Sequence, residues 1–164
     1  IPASDDTAVA WIMYQSLDSS VQYCVGNKYD PTEMTLGIVA NNAVITGEGT
    51  YTVSLDFSNC GIPKGVLFSA LGIYNGEKFF PGYTISIDEV KVNGEVRELS
   101  GKEYTCSDDG NCTRVNLYNQ WVTSIPDDCR HADGDKSGLS ATVLSVKDNE
   151  ILSTLEITFT YSAP

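Results

Sequence analysis

The clearest pattern of apolar and polar positions lies in residues 46–57, TGEGTYTVSLDF. Gly47 and Gly49 supply the backbone freedom that a tight turn needs. From Tyr51 to Phe57 apolar residues then occupy every second position, with polar residues between them. This two-residue period predicts a β-strand with one buried and one solvated face. Such strands belong to antiparallel sheets that pack on another layer, so the stretch predicts a sandwich.

Segments with a strand pattern recur along the chain at near-regular spacing. Residues 152–161 repeat the same alternation, whereas residues 8–14 are apolar throughout and predict a short strand covered on both sides. Further strands are predicted at residues 21–25, 66–74, 83–92, 114–118 and 140–146. No long segment carries a helical period, and we expect roughly nine to eleven short strands.

Turn signals separate several of these strands. Asn-Gly pairs at residues 75–76 and 93–94 predict two-residue hairpin turns. The alternation within residues 83–92 slips by one position, which predicts a bulge or bend near Asp88 and Glu89. The fold class predicted is all-β, an antiparallel β-sandwich of jelly-roll type, with an immunoglobulin-type arrangement as the alternative. Because the 164 residues contain no linker or repeat, residues 1–164 are predicted to form one domain.

The charge balance narrows the range of partners. Lys and Arg number 10 against 22 Asp and Glu, which gives a net charge of −12. This charge repels a phosphate backbone, so nucleic acid is not an expected partner. No run is long and apolar enough to predict membrane insertion. Residues 1–6 carry no signal-peptide pattern, and we expect the chain to be one module of a larger protein.

The cysteines give little sign of metal or redox chemistry. They are Cys24, Cys60, Cys106, Cys112 and Cys129, and none forms a C-x-x-C pair. Cys106 and Cys112 flank a turn-forming segment and are a candidate disulfide pair. Cys129 lies near the single histidine, His131, but its surroundings carry no oxyanion signature, which favours an incidental cysteine over a nucleophile.

Sandwich folds include glycosidases, which need two carboxylates facing each other across a cleft. The chain has no E-x-D-x-x-E strand motif, no G-x-S-x-G, no Walker loop and no H-E-x-x-H. Its isolated carboxylates, among them Glu156 and the pairs at 88–89 and 127–128, are interpreted as solvated surface groups. We therefore predict that the protein is not an enzyme, and we assign no catalytic residue.

Two acidic loops have the spacing of oxygen ligands for calcium. Residues 133–138, DGDKSG, match the first half of an EF-hand loop, but Leu144 stands where the bidentate glutamate is needed. Residues 108–110, DDG, are a weaker candidate, and a plain turn is the alternative in both places. We expect no required cofactor, at most a structural calcium ion, and we assign no metal ligand.

The most informative candidate for binding is residues 114–121, RVNLYNQW. Alternation predicts that Val115 and Leu117 face the core, so that Arg114, Asn116 and Tyr118 form an outward row. Asn119 and Trp121 follow just beyond this row. Aromatic faces stack on the apolar side of a sugar ring, while amides and guanidinium groups bond its hydroxyls. The alternative is a structural strand with Trp121 in the core. Further candidate aromatic platforms are Tyr14, Tyr23, Tyr29, Tyr74 and Phe80.

Three stretches resemble β-sandwich carbohydrate-binding modules of the kind attached to xylanases and cellulases of gut and rumen Firmicutes. They are residues 42–57 (NAVITGEGTYTVSLDF), residues 81–94 (PGYTISIDEVKVNG), and the SDDG at 107–110 followed by TRVNLYNQW at 113–121. The resemblance implies a non-catalytic jelly roll that binds xylan or β-glucan in a groove across one sheet. It places Tyr23 where such modules usually present a tryptophan.

The function expected from this resemblance is targeting of a secreted enzyme to plant cell-wall polysaccharide. The expected partners are a polysaccharide or oligosaccharide and a covalently linked catalytic domain, and the expected location is extracellular or at the cell surface. The alternatives are an adhesion or scaffolding domain of a secreted or surface protein and, third, a glycoside hydrolase.

Overall fold

The computed structural model describes residues 6–19, 21–23, 37–61, 63–97, 106–109, 112–119 and 152–164. Within these ranges the chain forms strands and one short helix. The elements in chain order are β1 (Ala8–Gln15), β2 (Gln22–Tyr23), β3 (Val39–Asn41), β4 (Ala43–Ile45), β5 (Gly49–Asp56), β6 (Phe68–Tyr74), α1 (Gly76–Phe79), β7 (Thr84–Val92), β8 (Glu95–Arg97), β9 (Cys106–Asp109), β10 (Cys112–Asn119) and β11 (Thr154–Ser162).

The strands form two sheets in which every pairing is antiparallel. Sheet A has the order β2-β1-β6-β10-β9, with β4 also paired to β1, and sheet B has the order β3-β5-β11-β7-β8. Buried side chains from both sheets form one core, in which the Tyr14 ring lies 4.8 Å from the ring of Phe57, just after β5. The prediction of an all-β antiparallel sandwich is confirmed, whereas its jelly-roll topology stays a prediction.

Sheet B has the alternation that the sequence predicts. β5 and β11 pair in register, so that Leu55 lies opposite Leu155 and Val53 opposite Ile157, and all four side chains are buried. The positions between them face solvent and are mostly threonine, serine or acidic. The outer face of sheet B is therefore polar along β5 and β11, and the inner face supplies one side of the core.

Sheet A is covered on both faces in its central strands. Every residue of β1 except Gln15 is buried, and every residue of β6 except Tyr74, which confirms the prediction for residues 8–14. The outer face of sheet A, pointing away from sheet B, carries Trp11 in register with Gly72 of β6. A side chain at Gly72 would meet Met13 Cε at 2.6 Å and the Trp11 ring at 2.9 Å. Glycine at this position lets both side chains lie flat on the central strand.

The irregularity predicted near Asp88 is confirmed as a β-bulge. Thr158 of β11 pairs with Glu89, while the next residue, Phe159, pairs with Ile87. Asp88 is therefore the extra residue in β7, and its carboxylate accepts a hydrogen bond of 2.7 Å from the Thr160 hydroxyl. The bulge restores the apolar residues on both sides of it to the inner face.

The two Asn-Gly pairs adopt different structures. Asn93 and Gly94 have φ of 55° and 81° and join β7 to β8 directly, which confirms that hairpin. Asn75 also has a positive φ, 60°, but α1 follows it, so the prediction of a hairpin at residues 75–76 is wrong. An Asn-Gly pair therefore predicts a residue with a positive φ, but it does not determine whether a strand or a helix follows. Since β6 already pairs with β1 and β10, the chain cannot fold back beside it.

The backbone of β9 and β10 bears on the candidate disulfide. Cys112 pairs with Asp109, and Cys106 pairs with Arg114, with a shift of register between the two pairs. The two cysteines therefore lie on adjacent strands, and the disulfide between them stays a prediction. Cys24, Cys129, His131 and the predicted strand at 140–146 lie outside the described residues.

Candidate functional site

The predicted row on β10 lies largely inside the protein. Arg114 and Asn116 share the outer face of sheet A, in register with Gly72 and Ala70 of β6. Arg114 is only 8% exposed, and its guanidinium carbon lies 5.6 Å from the centre of the Phe68 ring. The alternation places both residues correctly on this face. The expectation that the face is open to solvent is wrong for Arg114.

A bulge in β10 removes Tyr118 from this row. The pairing with β6 shifts between Asn116 and Tyr118, so that Tyr118 lies opposite Ser69. Ser69 faces sheet B, as does Tyr14, its partner on β1. Tyr118 is therefore half-buried against the core, contrary to the predicted outward position, because one inserted residue reverses the faces beyond it. Leu117 is buried, as predicted.

Two of the other predicted aromatic platforms, Tyr14 and Tyr23, are not available to a ligand. Tyr14 and Tyr23 are 0% and 1% exposed, and the Tyr14 hydroxyl donates to the Gly65 carbonyl. A stacking platform must offer one ring face to solvent, so the assignment of these two tyrosines to a binding surface is corrected. Asn119 ends β10, and nothing of its side chain is described; Trp121 and Tyr29 lie outside the described residues.

Trp11 is the aromatic residue that the sequence reading overlooked on this face. Its ring and the amide of Asn116 lie on the same side of sheet A, and the Trp11 Nε1 and Asn116 Oδ1 atoms are buried without a hydrogen-bond partner. The apolar run in β1 does not predict that these two residues share a face, since the pairing of β1, β6 and β10 cannot be read from the sequence. Like Arg114, Trp11 is buried, so this layer is not an open binding surface.

An open cleft of about 420 Å³ lies at the end of the sandwich where β1 begins and α1 ends. We call it the end cleft. Its floor is the buried pair Ala8 and Ile45, which are in register between β1 and β4. Val44, Phe79 and Phe80 are its apolar walls, and Asp6, Thr7 and Thr46 are its polar rim. Its volume falls in the range of about 300–1,000 Å³ that is typical of small-molecule sites.

The sides of the end cleft are held by backbone and side-chain bonds. The Asn75 amide donates to the Thr7 carbonyl at 3.0 Å, which fixes the start of α1 against the chain before β1. The N–H groups of Phe79 and Phe80 donate to Asn75 and Gly76 carbonyls within α1. The Phe80 ring packs at 5.2 Å on Tyr83 and at 5.9 Å on Tyr161, so this wall is anchored in the core.

The rim at Thr46 is fixed by a tyrosine from β5. The Tyr51 hydroxyl accepts the Thr46 N–H at 3.3 Å and donates to the Gly47 carbonyl at 2.8 Å. Gly47 has φ of 141°, and the chain passes here from β4 in sheet A to β5 in sheet B. The predicted turn therefore begins at the rim of the end cleft, with Thr46.

The end cleft combines exposed apolar surface with oxygen atoms. Phe79 is 40% exposed, and Val44 is exposed as well, so two of the five large exposed apolar side chains in the described residues lie here. The Lys78 ammonium lies 5.1 Å from the centre of the Phe79 ring. Asp6 accepts hydrogen bonds, and the threonine hydroxyls both donate and accept. This arrangement suits a ligand with one apolar face and several hydroxyl groups.

A second, smaller groove of about 220 Å³ lies on the outer face of sheet B. Asn41, Ser54, Glu156 and Lys91 follow one another across β3, β5, β11 and β7. Lys91 Nζ lies 3.9 Å from a Glu156 carboxylate oxygen, and the Asn41 amide donates to the Ser54 hydroxyl at 3.1 Å. We call it the polar groove. Within the described strands, no aromatic residue lies on this face.

The groups that could support catalysis or metal binding are sparse in the described ranges. No cluster of three or more His, Cys, Asp or Glu side chains is placed there to hold a metal ion. The calcium candidate at 133–138 lies outside these ranges, as do Asp127 and Asp128. Burial, and after it the charge of Asp56, raises the pKa of the Cys60 thiol, so this cysteine is a poor nucleophile.

None of the helical residues in the described ranges forms a helix long and apolar enough to cross a bilayer. Comparison of the chain with protein-family models, with curated proteins and with solved structures found no match.

Proposed function

We propose that the protein is a non-catalytic carbohydrate-binding module and that the end cleft holds the sugar. The observation that carries the proposal is the exposed ring of Phe79 beside the oxygen atoms of Asp6, Thr7 and Thr46, within one cleft. A pyranose ring has an apolar face of C–H groups and an edge of hydroxyl groups, and these side chains offer a partner for each.

Each side chain has a separate part in this proposal. The Phe79 ring stacks on the apolar face of the sugar, and Val44 extends the apolar wall beside it. The Asp6 carboxylate accepts hydrogen bonds from sugar hydroxyls, and such charge-assisted bonds are the stronger kind. Thr46 provides a hydroxyl whose backbone position is set by Tyr51. The Phe80 ring is already packed on Tyr83 and Tyr161, so this wall needs little further ordering on binding.

The wider setting of the proposal comes from the resemblance of residues 42–57, 81–94, 107–110 and 113–121 to carbohydrate-binding modules. It supports the further proposal that the domain lies outside the cell or at its surface, attached to an enzyme that acts on plant cell-wall polysaccharide such as xylan or β-glucan. No catalytic step is assigned to this domain.

Affinity electrophoresis and calorimetric titration against xylan, mixed-linkage β-glucan, xyloglucan and mannan test the proposal. We expect at least one of these glycans to bind, and Phe79→Ala to weaken that binding by about tenfold, or about 1.4 kcal/mol. Val96→Ala is the matched control, because Val96 is an apolar side chain that is 63% exposed on β8, away from the end cleft. A wild-type domain that binds none of these glycans contradicts the proposal.

A further inference from the structure

We infer that the end cleft binds a sugar unit at the end of a glycan chain, and not a stretch within the chain. This inference rests on the proposed function and adds the mode of recognition to it. It departs from the expectation that the glycan lies in a groove across one sheet.

The first argument is the size of the cleft floor. Residues 6–8 and residues 44–46 supply its two sides, and Ala8 pairs with Ile45 at its centre. Three consecutive residues span about 7 Å even when fully extended. This is enough for about one sugar unit. A longer stretch of glycan would have to leave the cleft on both sides.

The second argument is the distribution of aromatic surface. Among the described residues, Phe79 is the only exposed aromatic side chain, and the others are buried or half-buried. Recognition of several successive sugars along a chain needs several stacking platforms in line. One exposed ring, beside one set of oxygen atoms on the rim, can stack on and bond one sugar unit.

The third argument is that neither sheet presents a matching track in its described strands. The outer face of sheet A is occupied by buried side chains, including Trp11 and Phe68. The outer face of sheet B is exposed but carries threonine, serine and charged residues, with no aromatic ring. The polar groove offers hydrogen bonds there without a surface for stacking.

These observations predict how affinity depends on chain length. If only the terminal unit enters the end cleft, further units remain in solvent and add few contacts. The dissociation constant per chain end then stays within about twofold from the disaccharide to the hexasaccharide. Cutting the polysaccharide at internal bonds creates new ends, and therefore more binding sites per gram.

The test uses an oligosaccharide series from whichever of the four glycans binds best, titrated calorimetrically into the domain. We expect a constant affinity along the series and a number of sites per gram of polysaccharide that rises in proportion to chain ends after partial internal cleavage. Borohydride reduction of the reducing ends tells which end is held. Unchanged binding assigns the non-reducing end, and lost binding assigns the reducing end.

Affinity that rises by tenfold or more from the disaccharide to the hexasaccharide overturns the inference while leaving the proposed function standing. Matched variants locate the site independently of chain length. Phe79→Ala should weaken all lengths alike, whereas Asn41→Ala and Lys91→Ala, in the polar groove, should change none. The reverse result assigns binding to the polar groove and overturns the inference. A domain that binds no glycan of any length overturns the proposed function itself.

Discussion

At the scale of single residues, Asn93 has two structural roles, one through its backbone and one through its side chain. Its φ of 55° suits the hairpin between β7 and β8. Its side-chain oxygen accepts the Ser153 N–H at 2.6 Å, the Ser153 hydroxyl at 3.0 Å and the Thr154 N–H at 3.3 Å. The turn is therefore tied to the start of β11. The sequence predicted the turn from the Asn-Gly pair but carried no sign of this second contact.

Substitution of Asn93 separates these two roles. Asn93→Gly keeps the left-handed conformation and loses the three hydrogen bonds, so we expect a loss of about 1 kcal/mol in the free energy of unfolding. Asn93→Ala also strains the backbone and should lose about 1–2 kcal/mol more. Urea denaturation of the two variants measures both losses. Equal stability of Asn93→Gly and the wild type would mean that the contacts with Ser153 and Thr154 are dispensable.

Asp56 offers a residue-scale prediction about pH. Hydrogen bonds from the Ser58 hydroxyl, at 2.6 Å, and then from the Ser58 N–H, at 2.9 Å, hold the pKa of the Asp56 carboxyl below its usual value. A lowered folded-state pKa contributes stability above the unfolded-state pKa, and this contribution is lost as the pH falls through the folded-state pKa. We expect Ser58→Ala to raise the pKa toward its ordinary value, as an NMR titration of the carboxyl carbon would show. An unchanged pKa would assign the shift to the backbone bond alone.

At the scale of elements, the strands that could be predicted best are those with one buried face and one solvent-facing face. β5, β11 and the bulge in β7 followed from alternation, because a one-residue slip there moves apolar side chains into solvent. β10 has buried side chains on both faces. In such a strand a one-residue bulge hardly changes the pattern of apolar and polar positions, so the sequence does not reveal it. The position of Tyr118 was wrong for this reason.

The packing of β1 on β6 can be tested at Gly72. A Cβ there would lie 2.6 Å from Met13 Cε, so Gly72→Ala should lower the free energy of unfolding by about 1–3 kcal/mol through overpacking. Met13→Ala should cost about 2–5 kcal/mol through the cavity that it leaves. Because the two changes share one space, the double variant should lose less than the sum. Additive losses in a denaturation cycle would show that the clash is relieved elsewhere.

At the scale of the whole molecule, the fold followed from the sequence much better than the candidate site did. The end cleft draws on residues 6–8, 44–46 and 79–80, which are far apart in the chain. No linear motif joins them, and Phe79 was not among the aromatic residues predicted to bind a ligand. Residues 114–121 were predicted to form a binding row because their side chains are of types that stack on sugar rings or bond sugar hydroxyls. The burial of Arg114 depends on tertiary structure that alternation cannot show.

The net charge of −12 gives a whole-molecule prediction about ligand class. A negative protein surface repels a uronic acid polymer, and added salt screens this repulsion. We expect polygalacturonate to bind more weakly than the best neutral glycan, with the difference narrowing as sodium chloride is raised. Affinity electrophoresis over a salt series measures this difference. Tight binding of polygalacturonate that salt weakens would point to a cationic site outside the end cleft.

The end cleft also links three segments that only the folded chain brings together. Ala8 pairs with Ile45, Val9 pairs with Tyr74, and the Asn75 amide bonds the Thr7 carbonyl. A sugar bound between Phe79 and Thr46 would hold these three segments together, although it contacts few of the atoms that form the pairings and the hydrogen bond. Bound glycan should therefore slow amide hydrogen exchange along β1 and β4 and delay proteolysis near the start of β1, because fraying of that strand would first require release of the ligand.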